Sequence, residues 1–308
     1  MVLANGTIVN ANAKENPDLY LAQKGGSGNL GLITRFDMKP IHYPDAKAGV
    51  YGGMLVYDID STPAVFDAYV DFAGAHAEDV HTSVITMLDY SSKAGSHSFM
   101  VAPFNTENKH SAAMEKFVQL PGLTTNGLAH GTMSTMLAEA DEDKYQIWYT
   151  GTYSTCREVM DYIKEKHIKL AEDLTAALPE GTYFGLKSEY QPITGTMSSY
   201  GENIMGLEPH VADDTGILFL AWVYVDTAEA EEIARPLVKA YYEDVDAYAT
   251  SIGRNWDWLY LAYSNTEQDP ISKYGAGNIK KLQDASRKYD PEGVFQHLRT
   301  SGFKLPAF

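Results

Sequence analysis

Residues 18–39 read DLYLAQKGGSGNLGLITRFDMK, and this stretch decides how the rest of the chain is interpreted. At residues 26–31 it contains the string GxGxxG, which in dinucleotide-binding proteins follows a strand and opens a helix. Here the order is reversed. The preceding residues 17–24 have helical spacing of their apolar side chains, whereas residues 30–36 are apolar and β-branched and predict a buried strand. The dinucleotide-binding interpretation therefore fails on its context.

The same stretch resembles the glycine-rich signature of the berberine-bridge-like FAD-linked oxidoreductases, within the vanillyl-alcohol-oxidase superfamily. In that family the glycine-rich turn lets the backbone approach the bound flavin closely, because glycine has no Cβ and reaches positive φ. Residues 2–9 also match, as a hairpin with Asn5-Gly6 at its tip. Further motifs of the family recur in order downstream: GENIMGL at 201–207, YLAY at 260–263, the segment 273–282, and KYDPEGVF at 288–295.

The fold class follows from the order of the elements as well as from this resemblance. Strands alternate with helices and are joined by hairpin-like returns, which predicts an α+β fold, an antiparallel sheet covered by helices on one face. The family's substrate domain has this arrangement. We therefore predict a remnant of the FAD-binding domain at residues 1–46, a substrate-domain-like unit at 47–265, and a C-terminal segment at 266–308 that returns to the remnant. A connector containing Pro and Asp is expected at 42–48.

Departures from the family pattern bear on the cofactor. Ala262 stands where the family's YxNY motif has an Asn beside the flavin, and Glu202 replaces a glycine of the 201–207 turn. Alanine cannot reproduce the donor and acceptor of an amide. The family's first half, with its phosphate loop and flavin-attaching His, has no counterpart before Met1. The chain is either an incomplete copy or a shortened relative, and we expect it to bind no cofactor, so that it is colourless and takes up no FAD.

Composition excludes several classes of partner. The chain of 308 residues carries 24 basic and 41 acidic residues, a net charge of −17, which argues against nucleic-acid and anionic-membrane partners. The single cysteine, Cys156, excludes internal disulfides. The cluster of His and acidic residues at 76–81 fits no standard metal spacing, so no metal is expected. With no leader peptide in view, we expect a cytoplasmic protein.

The candidate site residues come from strand alternation and from the aromatic pocket walls of the family. Along residues 183–191, alternation places Tyr183, Lys187 and Glu189 on one face, which meets either solvent or a pocket. His81 is a candidate because histidine titrates near neutrality, although a single histidine of this kind is more often a surface residue. We predict His81, Lys187 and Glu189 as catalytic residues. The expected substrate-binding residues, for each of which core packing is the alternative, are Trp148, Trp222, Tyr224 and Tyr260.

Three functions remain open at this point. The leading hypothesis is a flavin-independent cyclase of fungal natural-product biosynthesis, which closes a ring by a hetero-Diels–Alder reaction after dehydration of its substrate to a quinone methide. The alternative is a berberine-bridge-type FAD-dependent oxidoreductase, incomplete or complemented by another chain. The third is a binding or scaffold protein without chemistry.

The expected partners are a small hydrophobic or aromatic substrate and a second copy of the chain. We expect a homodimer that buries apolar surface at residues 30–36 and 294–308, because large exposed apolar patches usually mark interfaces.

Overall fold

The computed structural model describes residues 1–40, 49–136, 145–199 and 201–307. The connector expected at 42–48 lies outside these ranges. Within them, no helix is both long and apolar enough to cross a lipid bilayer.

A single antiparallel sheet organises the described residues. Its main path runs in the order β5-β2-β4-β3-β8-β9-β7, and two short strands, β1 and β6, pair with each other while β1 also pairs with β4. Each of the strands β3, β4, β7, β8 and β9 is ten residues long. The strand bounds are β1 Val50–Gly52, β2 Leu55–Asp58, β3 Thr82–Ser91, β4 Ser96–Asn105, β5 Leu123–Asn126, β6 Ala129–Gly131, β7 Tyr145–Ser154, β8 Phe184–Ile193 and β9 Gly216–Val225.

Helices cover one face of this sheet. Three long helices, α2, α5 and α8, contribute the buried side chains that pack against it. The helix bounds are α1 Pro17–Gln23, α2 Thr62–Ala75, α3 Ala112–Val118, α4 Met133–Met136, α5 Arg157–Ala177, α6 Gly195–Ser198, α7 Glu208–Val211, α8 Ala228–Ser251, α9 Ala276–Tyr289 and α10 Val294–His297. The predicted α+β class, with helices on one face of an antiparallel sheet, is confirmed.

The sequence of each element explains which side it buries. In β9, every second residue from Ile217 to Val225 is buried against the helices. In α8, Ala230, Ala234, Val238, Tyr241 and other residues at helical spacing form the facing stripe. Each fully buried large apolar side chain contributes about 1.5–3 kcal/mol relative to leaving it exposed. Helix α8 begins at the N-cap Thr227, whose hydroxyl accepts from the Ala230 N–H at 3.1 Å.

A second, smaller core joins the two ends of the chain. Leu19 and Ala22 of α1 pack with Leu282 of α9, and Ile204 and Tyr274 complete the cluster with other buried residues of both ends. Lys288 and Tyr289 both contact the Asp18 carboxylate, at 2.6 and 2.7 Å.

The glycine-rich turn at 25–31 is packed against protein atoms. A Cβ on Gly26 would lie 2.5 Å from the Ala22 carbonyl oxygen. Gly206, at φ +74°, brings the 201–206 turn so close to the Tyr274 carbonyl that a Cβ would lie 2.3 Å from its oxygen. The Ile204 N–H donates to the Lys24 carbonyl at 3.2 Å, so the two turns contact each other directly. Glycine is required at positions 26 and 206 because the backbone of another part of the same chain packs closely against each of them.

Three sequence expectations are corrected by the structure. Residues 30–36 form no buried strand: only Leu32 makes a bridge, to Val2, and Leu32 and Phe36 are 62% and 72% exposed. The prediction relied on apolar composition. A strand is buried only when other chain segments flank it on both sides, and among the described residues this segment is bridged on one side, by Val2. The C-terminal segment is not uniformly apolar surface, because Phe295 and Leu305 are buried. The apolar sequence of residues 49–57 predicts one continuous strand, whereas the structure divides it into β1 and β2 at Gly53, which has φ +146°.

Candidate functional site

The sheet face opposite the helices, here called the open face, carries the polar and aromatic residues of interest. The strand register arranges them in rows across the sheet. Asp89, Lys187, Trp222 and Trp148 are successive cross-strand partners on β3, β8, β9 and β7. Residues directly opposite each other on one face have Cβ atoms about 4.5–5.5 Å apart. The first row therefore places a carboxyl, an ammonium and two indoles side by side.

A second polar group lies further along β8. The next row contains Met87, Glu189 and Leu220, and Gln191 follows two residues after Glu189 on the same face. The alternation predicted for β8 is confirmed, because Phe184, Leu186 and Ser188 are buried against the helices.

Gln191 connects Glu189 to a tyrosine from another part of the chain. Its side-chain Nε2 donates to a carboxylate oxygen of Glu189 and, at 2.9 Å, to the hydroxyl oxygen of Tyr263. The Tyr263 ring lies edge-on to Tyr260, with centroids 5.1 Å apart, and 6.1 Å from Trp148. Because Gln191 donates to the phenol oxygen, it does not accept the hydrogen of the Tyr263 hydroxyl. This hydroxyl is the group best placed to exchange a proton with a ligand on the open face.

Burial changes the acidity of the groups around this hydroxyl. Burial raises the pKa of the Glu189 carboxyl, against the smaller lowering effects of Gln191 and Lys187. Burial likewise raises the pKa of Asp89, partly offset by Lys187. The pKa of Tyr263 is raised by burial, lowered by the hydrogen bond from Gln191 and raised again by the nearby Glu189 charge. The open face thus holds two carboxyls that retain their protons to higher pH than usual.

Two amide side chains hold the segment that carries Tyr263. Gln268 accepts from the Thr150 N–H at 3.2 Å and donates to the Thr150 carbonyl at 2.8 Å, as a neighbouring strand would. Asn265 donates to the Trp148 carbonyl at 2.9 Å. Strand β7 ends the main path of the sheet, so these contacts satisfy backbone groups of an edge strand. They also fix the distance between Tyr263 and the open face.

Aromatic side chains form a wall beside this polar group. The rings of Trp148 and Trp222 are 5.4 Å apart, and Tyr224 lies 5.9 Å from Trp222. The Lys187 ammonium lies 4.6 Å from the centre of the Trp222 ring, a cation–π contact. Tyr260 stacks on Trp258 at 6.3 Å.

Six of the seven predicted site residues are brought together, and His81 is not. Lys187, Glu189 and the four predicted aromatic residues lie on or beside the open face. His81 precedes β3, outside the part of that strand that pairs with β8, and its side chain is half exposed. It lies 3.3 Å from the Thr106 hydroxyl and 3.8 Å from Glu107. The catalytic and binding roles remain predictions for all seven.

Sequence reasoning missed three residues of the site. The sequence could have identified Gln191, because the alternation along β8 continues past Glu189. Tyr263 belongs to the YLAY motif at 260–263, but only Tyr260 was singled out. Asp89 had no local signal, because its position opposite Lys187 depends on the pairing of β3 with β8.

Buried polar side chains that lack a hydrogen-bond partner indicate which residues could hold a flavin. Both side-chain polar atoms of Gln23 are buried and have no hydrogen-bond partner among the described residues. Gln23 lines a groove of about 780 Å³ together with Tyr20 and Lys24. An amide, a phenol and an ammonium around one groove fit the polar groups of a nucleotide cofactor. The exposed Ala262 offers no hydrogen bond to such a group.

Comparison with known proteins also finds flavin-dependent enzymes among the relatives of this chain. No family model matches the chain. It is 30% identical over 318 residues to the FAD-dependent monooxygenase sdcF of Emericella nidulans, with 99% of this chain and 64% of that protein covered. Other fungal relatives at 27–28% identity carry the same description. The chain spans less than two thirds of the length of each of these relatives.

Solved structures with the same fold also match this chain. The 6-hydroxy-D-nicotine oxidase of Arthrobacter nicotinovorans superposes with a TM-score of 0.68 at 16% identity, over 99% of this chain and 65% of that one. The berberine-bridge-like protein 28 of Arabidopsis thaliana gives 0.64 at 14% identity, over 100% and 66%. The chain shares the fold of these two proteins. Its similarity in sequence is to FAD-dependent monooxygenases of fungi.

Proposed function

We propose that the chain forms the substrate-binding part of an FAD-linked oxidoreductase that acts on an aromatic natural product in a fungus. The observation that carries this proposal is the position of the Tyr263 hydroxyl, which accepts from Gln191 on the open face beside an aromatic wall, while Gln191 also donates to Glu189. The similarity to FAD-dependent monooxygenases and the shared fold support it.

In this proposal, Tyr263 accepts the proton of the substrate hydroxyl that is oxidised. The phenolate form is stabilised by the Gln191 amide, which already donates to the phenol oxygen. Gln23, Tyr20 and Lys24 are the residues that would hold FAD, and the bound flavin would supply a hydride acceptor for the carbon that bears this hydroxyl. The aromatic wall holds the substrate ring so that its hydroxyl lies at Tyr263, and a fixed orientation of this kind can contribute several kcal/mol.

The test combines cofactor binding with one substitution. The purified chain is incubated with FAD, freed of excess cofactor, and mixed anaerobically with aromatic alcohols while the flavin absorbance is followed. We expect bound FAD to be reduced. Tyr263→Phe should retain the bound flavin and reduce it about 10²–10⁴-fold more slowly, the usual contribution of one acid–base group. Tyr145→Phe, at an exposed tyrosine of β7, is the matched control. Absence of bound FAD, or full activity of Tyr263→Phe, would overturn the proposal.

A specific observation favours a second candidate, the flavin-independent cyclase. Asp89 and Glu189 lie on a face lined by Trp148 and Trp222, and burial raises the pKa of both carboxyls, so each retains its proton to higher pH than an exposed carboxyl does. Such a carboxyl would protonate a leaving hydroxyl as its C–O bond breaks, and the substrate's phenol proton would return to the resulting carboxylate, giving water and a quinone methide. The aromatic wall would orient the ring closure. Ala262 is consistent with this candidate.

Oxygen consumption separates the two candidates. A cyclase forms its product without FAD and without oxygen, and is slowed by Asp89→Asn or Glu189→Gln. An oxidoreductase forms no product under those conditions.

A further inference from the structure

Lys187 is distinguished by its position within the sheet. The chain contains 24 Lys and Arg residues, yet Lys187 is the single Lys or Arg in the nine strands of the described residues. Burying the stem of a lysine in a sheet face and holding its charge there is costly unless the charge has a use or a partner. This exception therefore calls for an explanation in terms of a ligand.

The ammonium of Lys187 forms no close ion pair in the described part of the chain, although its charge partly offsets the raised pKa of Asp89 and of Glu189. Asp89 is its direct cross-strand neighbour, but the two side chains are not in hydrogen-bond contact. The ammonium lies instead over the Trp222 ring, at 4.6 Å. The indole N–H of Trp222 is also buried without an acceptor among the described residues. Two hydrogen-bond donors thus lie next to each other, and neither has an acceptor among the residues that the structure describes.

The position of these donors relative to Tyr263 indicates the length of the ligand. Lys187 and Gln191 lie on the same face of β8, four residues apart, which corresponds to about 13 Å along a strand. Gln191 holds the Tyr263 hydroxyl at one end of this interval. Lys187 lies at the other end, over the indole of Trp222, and Trp148 lies beside Trp222. A flat molecule of about the length of three fused rings would extend from one end to the other.

We propose that Lys187 is a specificity-determining residue that binds an acidic oxygen substituent, a carboxylate or phenolate, at the far end of a planar aromatic substrate lying on Trp222 and Trp148. This inference rests on the proposed function, since it specifies the substrate class that the open face binds. The chain as a whole carries a charge of −17, which repels anions, so recognition of an acidic substrate requires a local cation of this kind. A neutral substrate would gain nothing from it.

Binding measurements on the intact chain test this without turnover. The probes are an anthraquinone monocarboxylate and the corresponding uncharged hydroxymethyl anthraquinone, and affinities are measured by calorimetry. We expect the carboxylate to bind about tenfold to a hundredfold more tightly, the range for a hydrogen bond to a charged group. Lys187→Met should remove this preference while leaving the affinity for the uncharged probe unchanged. Lys116→Met, which removes the same charge from an exposed position of α3, should retain it.

Three outcomes would overturn the inference: equal affinity of the two probes for the wild-type chain, binding of neither probe, or a preference that persists in Lys187→Met. Lys187→Arg separates loss of charge from loss of folding, because it should retain the preference. Failure of the oxidoreductase proposal is recognised independently, since it appears as absence of flavin reduction with the binding preference intact.

Discussion

The Tyr263 hydroxyl is influenced in opposite directions by two side chains of strand β8. Burial raises the pKa of this phenol, the hydrogen bond from Gln191 lowers it, and the charge of Glu189 raises it. If Tyr263 accepts the proton of the substrate, the rate of oxidation increases with pH as the phenol ionises, and the midpoint of that increase reports the pKa of Tyr263.

Paired substitutions should move this midpoint in opposite directions. Gln191→Leu removes the donor that stabilises the phenolate, so the rise should shift to higher pH. Glu189→Gln removes the negative charge that disfavours the phenolate, so the rise should shift to lower pH. The measurement is the pH dependence of flavin reduction, with Tyr145→Phe as the control variant. Shifts in the same direction, or none, would show that Tyr263 is not the titrating group.

At the scale of elements, helix α5 packs on the sheet through an unusual polar contact. His167 of α5 is fully buried, and its Nδ1 lies 2.8 Å from the Ser188 hydroxyl, which in turn lies 2.7 Å from the Tyr241 hydroxyl of α8. Its Nε2 has no partner among the described residues. His97 of β4 lies 5.3 Å away, ring to ring, and faces Glu172. Three elements are thus joined through one neutral imidazole.

This contact makes the stability of the fold sensitive to acid. Burial lowers the pKa of His167 well below its usual value, and the neighbouring His97 lowers it further. Below the unfolded-state pKa of about 6.5, the unfolded chain binds a proton at this position and the folded chain does not, so the free energy of unfolding decreases as pH falls. The loss approaches about 1.4 kcal/mol per pH unit.

Urea unfolding at about pH 7.5 and about pH 5.5 measures this effect. His167→Gln is expected to lose less stability between the two values than the wild-type chain does, because glutamine binds no proton. His297→Gln, at an exposed histidine of α10, should lose as much as wild type. Glu189 and Asp89 titrate with the opposite sign in every variant, so their contribution cancels in the comparison. Equal losses for wild type and His167→Gln would contradict the assignment.

Most helices and strands could be predicted from the sequence, because the pattern of their buried side chains is local. The sequence predicts a strand at 216–225 and a helix at 227–250. Strand β9 has these bounds and α8 differs by one residue at each end, because the spacing of apolar side chains is encoded locally. Strands β5 and β6 were missed, since their side chains are mostly exposed and show no alternation. Only some residues of the site could be predicted from the sequence. Lys187 and Glu189 followed from alternation, whereas the partners Asp89 and Tyr263 depend on pairings between distant segments.

For the whole molecule, the main apolar surface lies around the extended segment after the glycine-rich turn. Leu32, Ile33, Phe36 and Met38 are exposed there, and Ile8 of the hairpin is 79% exposed nearby in the same groove. The C-terminal segment contributes less than the sequence suggested, because within its described part Leu298 is its one large exposed apolar side chain.

Homodimer formation through the segment at 32–38 therefore remains our prediction for assembly, because contiguous exposed apolar side chains usually mark an interface. Light scattering should give twice the chain mass of 34.0 kDa at micromolar concentrations. The double substitution Leu32→Ser and Phe36→Ser should return it to a single chain mass, since both side chains lose their apolar contact. Met197→Ser, at an exposed methionine of α6, should remain dimeric. A single chain mass for the wild-type protein throughout this range, or a dimer that survives the double substitution, would place the segment outside any interface between copies.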